Sequence, residues 1–401
     1  MKKRYLLIGL LASGFNLFGQ TSNQTYSKKK ISHNDVQMLF SYYNQNNNHS
    51  AVTGGEGTED LQVYSTQFSV DNIKDSVRTF HYGFGFDIIT SASTDNIDFV
   101  VSSASEDDFR GYINLGYQRP VKNSNLTWGM NTSFSMESDY TSLGQSFLLS
   151  HANDDQTREL SAILQLYFDD LRWGRFQGSG VRELVYPVEL RGTEWFDVYR
   201  RNSFNLLLNW IQTINQRTSL SISPGLTYQS GLLSTPFHRV FFTDNTRRVE
   251  NLPMNRVKIP LGIQLSRFMG TRWILRTYYR FYWDDFGITA NTLSVETPVK
   301  LSRKFTITPF IRLYSQSGSE YFQPYAQHDL NSEFYTSDYD LSKFNSLNSG
   351  LALRLAPYSG NGQTTFKAIE FRFSHYQRSD GLHANVVSLS INYDRELNHP
   401  E

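Results

Sequence analysis

The sequence predicts an all-β protein: a single antiparallel transmembrane β-barrel of about sixteen strands, with long extracellular loops and short periplasmic turns. Three observations predict it. Apolar and polar residues alternate with period two in segment after segment beyond residue 30. The connections between those segments alternate between long and short. Aromatics are abundant, 15% of the chain with 24 Tyr and 29 Phe, while hydrophobic residues make up only 39%. That is too polar for a helical membrane protein. It suits a barrel, in which every second strand residue faces a polar lumen.

The N-terminus reads as a signal peptide over residues 1–19. Lys2, Lys3 and Arg4 precede an apolar stretch from Tyr5 to Phe18, and the small Gly19 offers a cleavage point before Gln20. No other apolar run reaches the 18 or so residues that a membrane helix needs. Residues 20–34 are expected to be a short periplasmic segment, 35–394 the barrel, and 395–401 a periplasmic tail.

Candidate strands lie at 35–44, 61–70, 76–93, 108–118, 125–139, 140–151, 157–171 and 201–214, then at 217–233, 255–268, 271–284, 288–300, 303–316, 346–357, 365–378 and 383–394. The pattern is clearest at the C-terminal end. There Val387, Leu389, Ile391 and Tyr393 alternate with Ser388, Ser390, Asn392 and Asp394. Ile369, Phe371 and Phe373 oppose Glu370, Arg372 and Ser374; Leu351, Leu353 and Leu355 oppose Ala352 and Arg354. In 305–313, Phe305, Ile307, Ile311 and Leu313 oppose Thr306, Thr308 and Arg312. One face carries full charges and must meet water; the other is too aromatic to be left there.

Short turns are expected at 71–75, 119–124, 153–156, 215–216, 270–271 and 302, all on even-numbered connections. The long stretches 45–60, 94–107, 172–200, 234–254 and 317–345 all fall on odd-numbered ones. A soluble sandwich has no reason to sort its loops in this way, whereas an outer-membrane barrel does. The tight hairpin at 139–140 and the polar first strand leave fourteen or eighteen strands as alternatives. Trp128, Trp173, Trp195, Trp210, Trp273 and Trp283 sit near expected strand ends, where an interfacial girdle belongs.

With 38 basic and 38 acidic side chains the chain has no net charge, which argues against a nucleic-acid partner. There is no cysteine, hence no disulfide, thiolate nucleophile or lipid-anchored Cys. The expected location is the outer membrane of a Gram-negative cell, with lipid and lipopolysaccharide as surroundings.

Several strings resemble a family of uncharacterised Gram-negative outer-membrane proteins, domain of unknown function 3570. They include SYYNQNNNHSAVTGGEGTEDL (41–61), TSASTDNIDFVVSSAS (90–105), FDDLRWGR (168–175), YPVELRGTEWFDVYRRNS (186–203) and GLLSTPFHRVFF (231–242). VENLP (249–253), YRFYWDDFGIT (279–289), SVETPVKL (294–301), EFYTSDYDLS (333–342) and RSDGL (378–382) extend the likeness towards the C-terminus. The resemblance implies an outer-membrane barrel and brings no established activity. It also implies a neighbouring lipoprotein and a flavin-attaching enzyme as genomic company, hence a redox-linked lipoprotein partner.

The candidate functional residues fall into three groups. If the apolar faces meet lipid, Arg276, Arg280, Arg312, Arg354, Glu370 and Arg372 line the lumen as a partly basic wall. Acidic loop residues Glu56, Glu59, Asp60, Asp95, Asp98, Asp338 and Asp340 are oxygen donors that suit Ca²⁺, although their spacing fits no EF-hand; no other cofactor is expected. Asp169, Asp170, Asp284 and Asp285, with His238, would be the parts of a rim hydrolase. No G-x-S-x-G, H-E-x-x-H or P-loop is present, so no enzyme is expected. His375 and His383 flank the RSDG turn at a spacing that lets them approach across a hairpin, and they read as ordinary structural or surface histidines. Gly83 and Gly85 leave room on one strand face, either for a close approach in the lumen or for relief of wall curvature. The functional expectation is a channel or transporter for small polar solutes. A docking barrel for the lipoprotein is the alternative, and a rim hydrolase comes third.

Overall fold

The computed structural model describes residues 32–46, 48–93, 107–137, 140–171, 199–235, 238–360 and 364–397. The expected signal peptide, Trp173, Trp195, Asp95 and Asp98 lie outside these residues.

The strands, in chain order, are β1 (His33–Asn46), β2 (Glu59–Lys74), β3 (Arg78–Ser93), β4 (Asp107–Pro120), β5 (Leu126–Met136), β6 (Thr141–Ala152), β7 (Arg158–Asp170) and β8 (Arg200–Asn215). They continue with β9 (Thr218–Gly231), β10 (Asn255–Met269), β11 (Trp273–Asp284), β12 (Thr289–Glu296, resumed at Val299–Lys300) and β13 (Phe305–Gln316). The last are β14 (Phe344–Leu355, resumed at Ser359–Gly360), β15 (Thr364–Arg378) and β16 (His383–Glu396). Every strand pairs antiparallel with its sequence neighbours. β1 closes the sheet on β16, with Met38 opposite both Phe68 and Ile391. The result is a closed barrel of sixteen strands, which leaves no sheet edge unpaired.

The connections sort as expected, with small corrections of position. The turn after β2 spans 75–77 rather than 71–75, because β2 keeps its pairing to Lys74. Asp75 and Ser76 hold φ of 55° and 54°, the doubly left-handed backbone that a tight hairpin of this hand requires. Asn123, Gln156 and Gly270 take positive φ in three other short turns. The hairpin expected at 139–140 is wider: β5 stops at Met136, β6 starts at Thr141, and the Glu137 amide donates to the Tyr140 carbonyl at 2.7 Å. Strand structure begins two residues before 35 and ends two after 394, at His33 and Glu396.

Alternation then decides which face is which. Phe84 (52% exposed), Phe109 (58%), Leu115, Leu160 and Leu313 all project from one face of the closed sheet. A large exposed apolar surface is costly in water. Around the whole circumference it forms the belt that a hydrocarbon layer needs. The opposite, inner face carries Ser, Asn, Gln, Tyr and charged side chains.

Four inner-face aromatics lie against glycines of the adjacent strand. A β-carbon at Gly85 would overlap the Tyr112 ring, one at Gly144 would stand 2.8 Å from Tyr167, and one at Gly350 2.5 Å from Phe310. At Gly262 the Tyr278 hydroxyl would be 2.9 Å away. These rings therefore lie along the wall instead of across the lumen. The space at Gly85 is taken by Tyr112, so neither a plug nor wall curvature is needed to account for it.

At the long-loop end, three loops build a small core of their own. Residues 232–254 contain a hairpin, Arg239–Phe241 with Arg247–Val249, and residues 317–343 bridge to it through Phe242–His328 and Asn251–Tyr335. Val240, Phe242 and Tyr335 are buried together, with the last two rings edge to face at 4.9 Å. Loop 47–58 packs on the same body. His49 stacks on Tyr339 at 4.0 Å, and Gly54 lies so close to Arg239 that a β-carbon would stand 2.6 Å from its carbonyl oxygen.

Candidate functional site

The inner wall formed by β11–β15 carries the expected lumen residues. Arg276 and Arg280 lie on β11, Arg312 on β13, Arg354 on β14, and Glu370 and Arg372 on β15. All six alternate with apolar outward residues, so they share the inner face. Their electrostatics divide them. Arg276 faces Glu296 at 3.7 Å and Arg354 faces Glu370 at 4.0 Å. Among the described residues, Arg280, Arg312 and Arg372 have no carboxylate within ion-pair reach; Arg372 instead stacks 4.0 Å above the Phe310 ring. Phe310 and Glu296 escape a reading of charges on a few clear strands. Glu296 follows a short, polar run, and Phe310 follows Pro309, which blurs the alternation.

Towards the long-loop end the inner face turns from lining to fastening. Arg378, at the end of β15, is 5% exposed. It pairs with Asp340 of loop 317–343 and with Asp380 at 2.5 Å each, donates to the Tyr339 carbonyl at 2.8 Å, and covers the Phe344 ring. The Gln316 amide donates to the Asp340 and Ser342 carbonyls at 3.0 and 2.5 Å. Because Gln316, Phe344 and Arg378 point inward, these bonds draw the turn 338–342 over the mouth of the barrel.

The described acidic loop residues each have their own surroundings. Asp340 is engaged by Arg378, and Glu56 hydrogen-bonds with Tyr325. Burial pushes the Asp338 carboxyl up to about 6, His238 opposes the rise, and Asp340 and Glu250 add to it. Asp60 lies at the start of β2, as does Glu59. Among the described residues no three His, Cys, Asp or Glu side chains are placed to hold a metal ion.

Asp284, Asp285 and Asp169, named above as parts of a rim hydrolase, are engaged as structural ties. Asp284 receives Arg256 at 2.5 Å, the Tyr282 hydroxyl at 2.7 Å and the amides of Phe286 and Ile288 at 3.1 and 3.0 Å. Asp169 receives Arg201 at 2.9 Å and the Tyr140 hydroxyl at 3.0 Å. Asp285 accepts from the Val257 amide. None of these bonds involves His238, which stands 3.7 Å from the buried Glu250. Sequence reading missed Glu250 and Arg378, whose partners lie far away along the chain. His375 and His383 do meet across their hairpin, with ring centroids 5.9 Å apart.

Comparison with known structures returns barrels of low similarity. A BenF-like porin from Pseudomonas fluorescens Pf-5 aligns at 10% identity and a TM-score of 0.42, over 91% of this chain and 99% of that one. A bacterial polysaccharide outer membrane secretin aligns at 9% and 0.46, over 90% and 98%. The outer membrane protein OprD from Pseudomonas aeruginosa aligns at 10% and 0.40, over 92% and 95%. No curated protein matches the sequence. The family model described as protein of unknown function (DUF3570) matches residues 8–386, nearly the whole chain, and the protein belongs to that family.

Proposed function

We propose that the protein is an outer-membrane channel for small polar solutes, with a preference for anions. One observation carries the reading. Inside a jacket of outward apolar side chains, ionised groups keep access to water: Arg276 and Glu296 are 32% and 30% exposed, and Arg354 and Glu370 are 26% and 30%. Charges wetted at that depth imply an aqueous lumen, because leaving them dry would be prohibitive. Between the ties Arg256–Asp284 and Arg378–Asp340/Asp380, the wall of β11–β15 holds Arg276, Arg280, Arg312, Arg354 and Arg372 against Glu296 and Glu370, so its field is positive.

The test is the reversal potential of the purified protein in a planar bilayer under a KCl gradient. The wild type should favour chloride. Replacing Arg280, Arg312 and Arg372 by Ala should move the reversal potential towards zero, because pore-lining charge sets which ions enter. Absence of current from protein shown to be folded by heat-modifiable gel migration would overturn the reading. A second reading, a docking barrel for a lipoprotein, is favoured by the folded body of loops 47–58, 232–254 and 317–343. It would take the place of the first in that event.

A further inference from the structure

The inner wall is chemically divided around its circumference. On β11–β15 it is guanidinium-rich, as described above. Across the barrel, on β3–β9, the charges sit towards the two ends and close on one another. Near the short-turn end the imidazole of His81 on β3 meets Asp71 of the neighbouring β2 at 2.6 Å. Towards the other end Arg110 meets Glu137 at 3.3 Å and Asp87 at 3.8 Å, and Arg201 meets Asp169. Between these ties the inward residues are neutral, and many are amides or hydroxyls: Asn114, Asn131, Ser133, Ser146, Gln165 and Asn209.

Several of these amides are unspent. Asn114, Asn131 and Gln165 make no side-chain hydrogen bond among the described residues. Asn209 uses only its carbonyl oxygen, which accepts from Ser221 and Ser223 at 2.8 and 2.7 Å. The wall is also low here. Gly83, Gly85, Gly116 and Gly144 are inward positions, and Tyr112 and Tyr167 lie along it. A solute in this lumen therefore meets three carboxylate-free guanidiniums on one side and a sheet of neutral donors and acceptors on the other.

Resting on the channel reading, we propose that the solutes are polyhydroxylated anions, of the sugar-acid or sugar-phosphate kind. The anionic group would lie against Arg280, Arg312 and Arg372, where charge-assisted bonds are available. The hydroxyls would exchange water for the amides of Asn114, Asn131 and Gln165. A simple alkyl carboxylate satisfies only the first wall, and a neutral sugar only the second.

The test is block of the chloride current by added gluconate, hexanoate or glucose, with glucose 6-phosphate, which carries a phosphate and no carboxylate, as the arm that separates carboxylate from phosphate sources. Gluconate should act at about fivefold to tenfold lower concentration than hexanoate, the worth of one net hydrogen bond or a little more. Glucose should be weaker than gluconate. Replacing Asn114, Asn131 and Gln165 by Ala should bring gluconate and hexanoate together while leaving the reversal potential unchanged. Replacing the three arginines should bring gluconate and glucose together. Current with equal block by gluconate and hexanoate would overturn this inference and leave the channel intact. Absence of current from folded protein would overturn both.

Discussion

At Arg378 one side chain joins loop to wall. Its guanidinium is almost fully enclosed, and its fork is shared by Asp340, Asp380 and the Tyr339 carbonyl. Removing it would leave Asp380, whose side chain is 11% exposed, facing a protein interior without a cation. Asp340 is 78% exposed, so water would replace most of what Arg378 gives it. We therefore expect Arg378→Ala to lower the local stability of loop 317–343 by about 2 kcal/mol, the order of a lost charged hydrogen bond. The barrel should stay closed. Limited proteolysis of folded protein in detergent should cut within 317–343 roughly tenfold faster or more, and an unchanged cutting rate would contradict the role. In the sequence Arg378 stands out only as the first residue of the string RSDGL. Its function depends on a loop contact 38 residues away in the chain, and strand periodicity carries no information about that.

At the scale of the elements, the strands were readable because each one records its own burial: a period of two needs no knowledge of neighbours. Ile307, Ile311 and Leu313 against Thr306, Thr308 and Arg312 place β13 without any partner strand. The relations between strands were not readable in that way. Phe310 lies along the wall because β13 pairs with β14 in a register that sets Gly350 opposite it, and register is invisible in a single segment. Hence Gly350→Ala should turn the Phe310 ring, and Arg372 above it, into the lumen, and the Phe373 carbonyl of β15, which the new β-carbon also meets, must shift with it. We expect a cost of about 1–3 kcal/mol from overpacking and a lower single-channel conductance with the barrel still assembled. Conductance equal to wild type would show that this part of the wall does not limit the lumen. The loop core was likewise hidden, since Val240 and Phe242 meet Tyr335 from a second loop more than 90 residues along the chain. The metal candidates in those loops were readable as acidic residues, but their partners, an arginine for Asp340 and a tyrosine for Glu56, were not.

For the whole molecule, closure and facing are one problem. A closed sheet has an inside, and the alternation assigns the polar set to it; the same barrel placed in water would leave Phe84, Phe109 and Leu115 exposed. The central claim is therefore that the apolar set faces hydrocarbon and the polar set a water-filled lumen. Because the chain contains no cysteine, every introduced thiol is unique, and a single strand suffices. The measurement is the labelling rate, in intact outer-membrane vesicles, of Thr306→Cys and Arg312→Cys against Ile307→Cys, Ile311→Cys and Leu313→Cys with a small, membrane-impermeant maleimide. The account predicts that the first two react and the last three do not, while a bilayer-embedded quencher reaches fluorophores only at 307, 311 and 313. Equal reaction of both sets, or the opposite alternation, would contradict it.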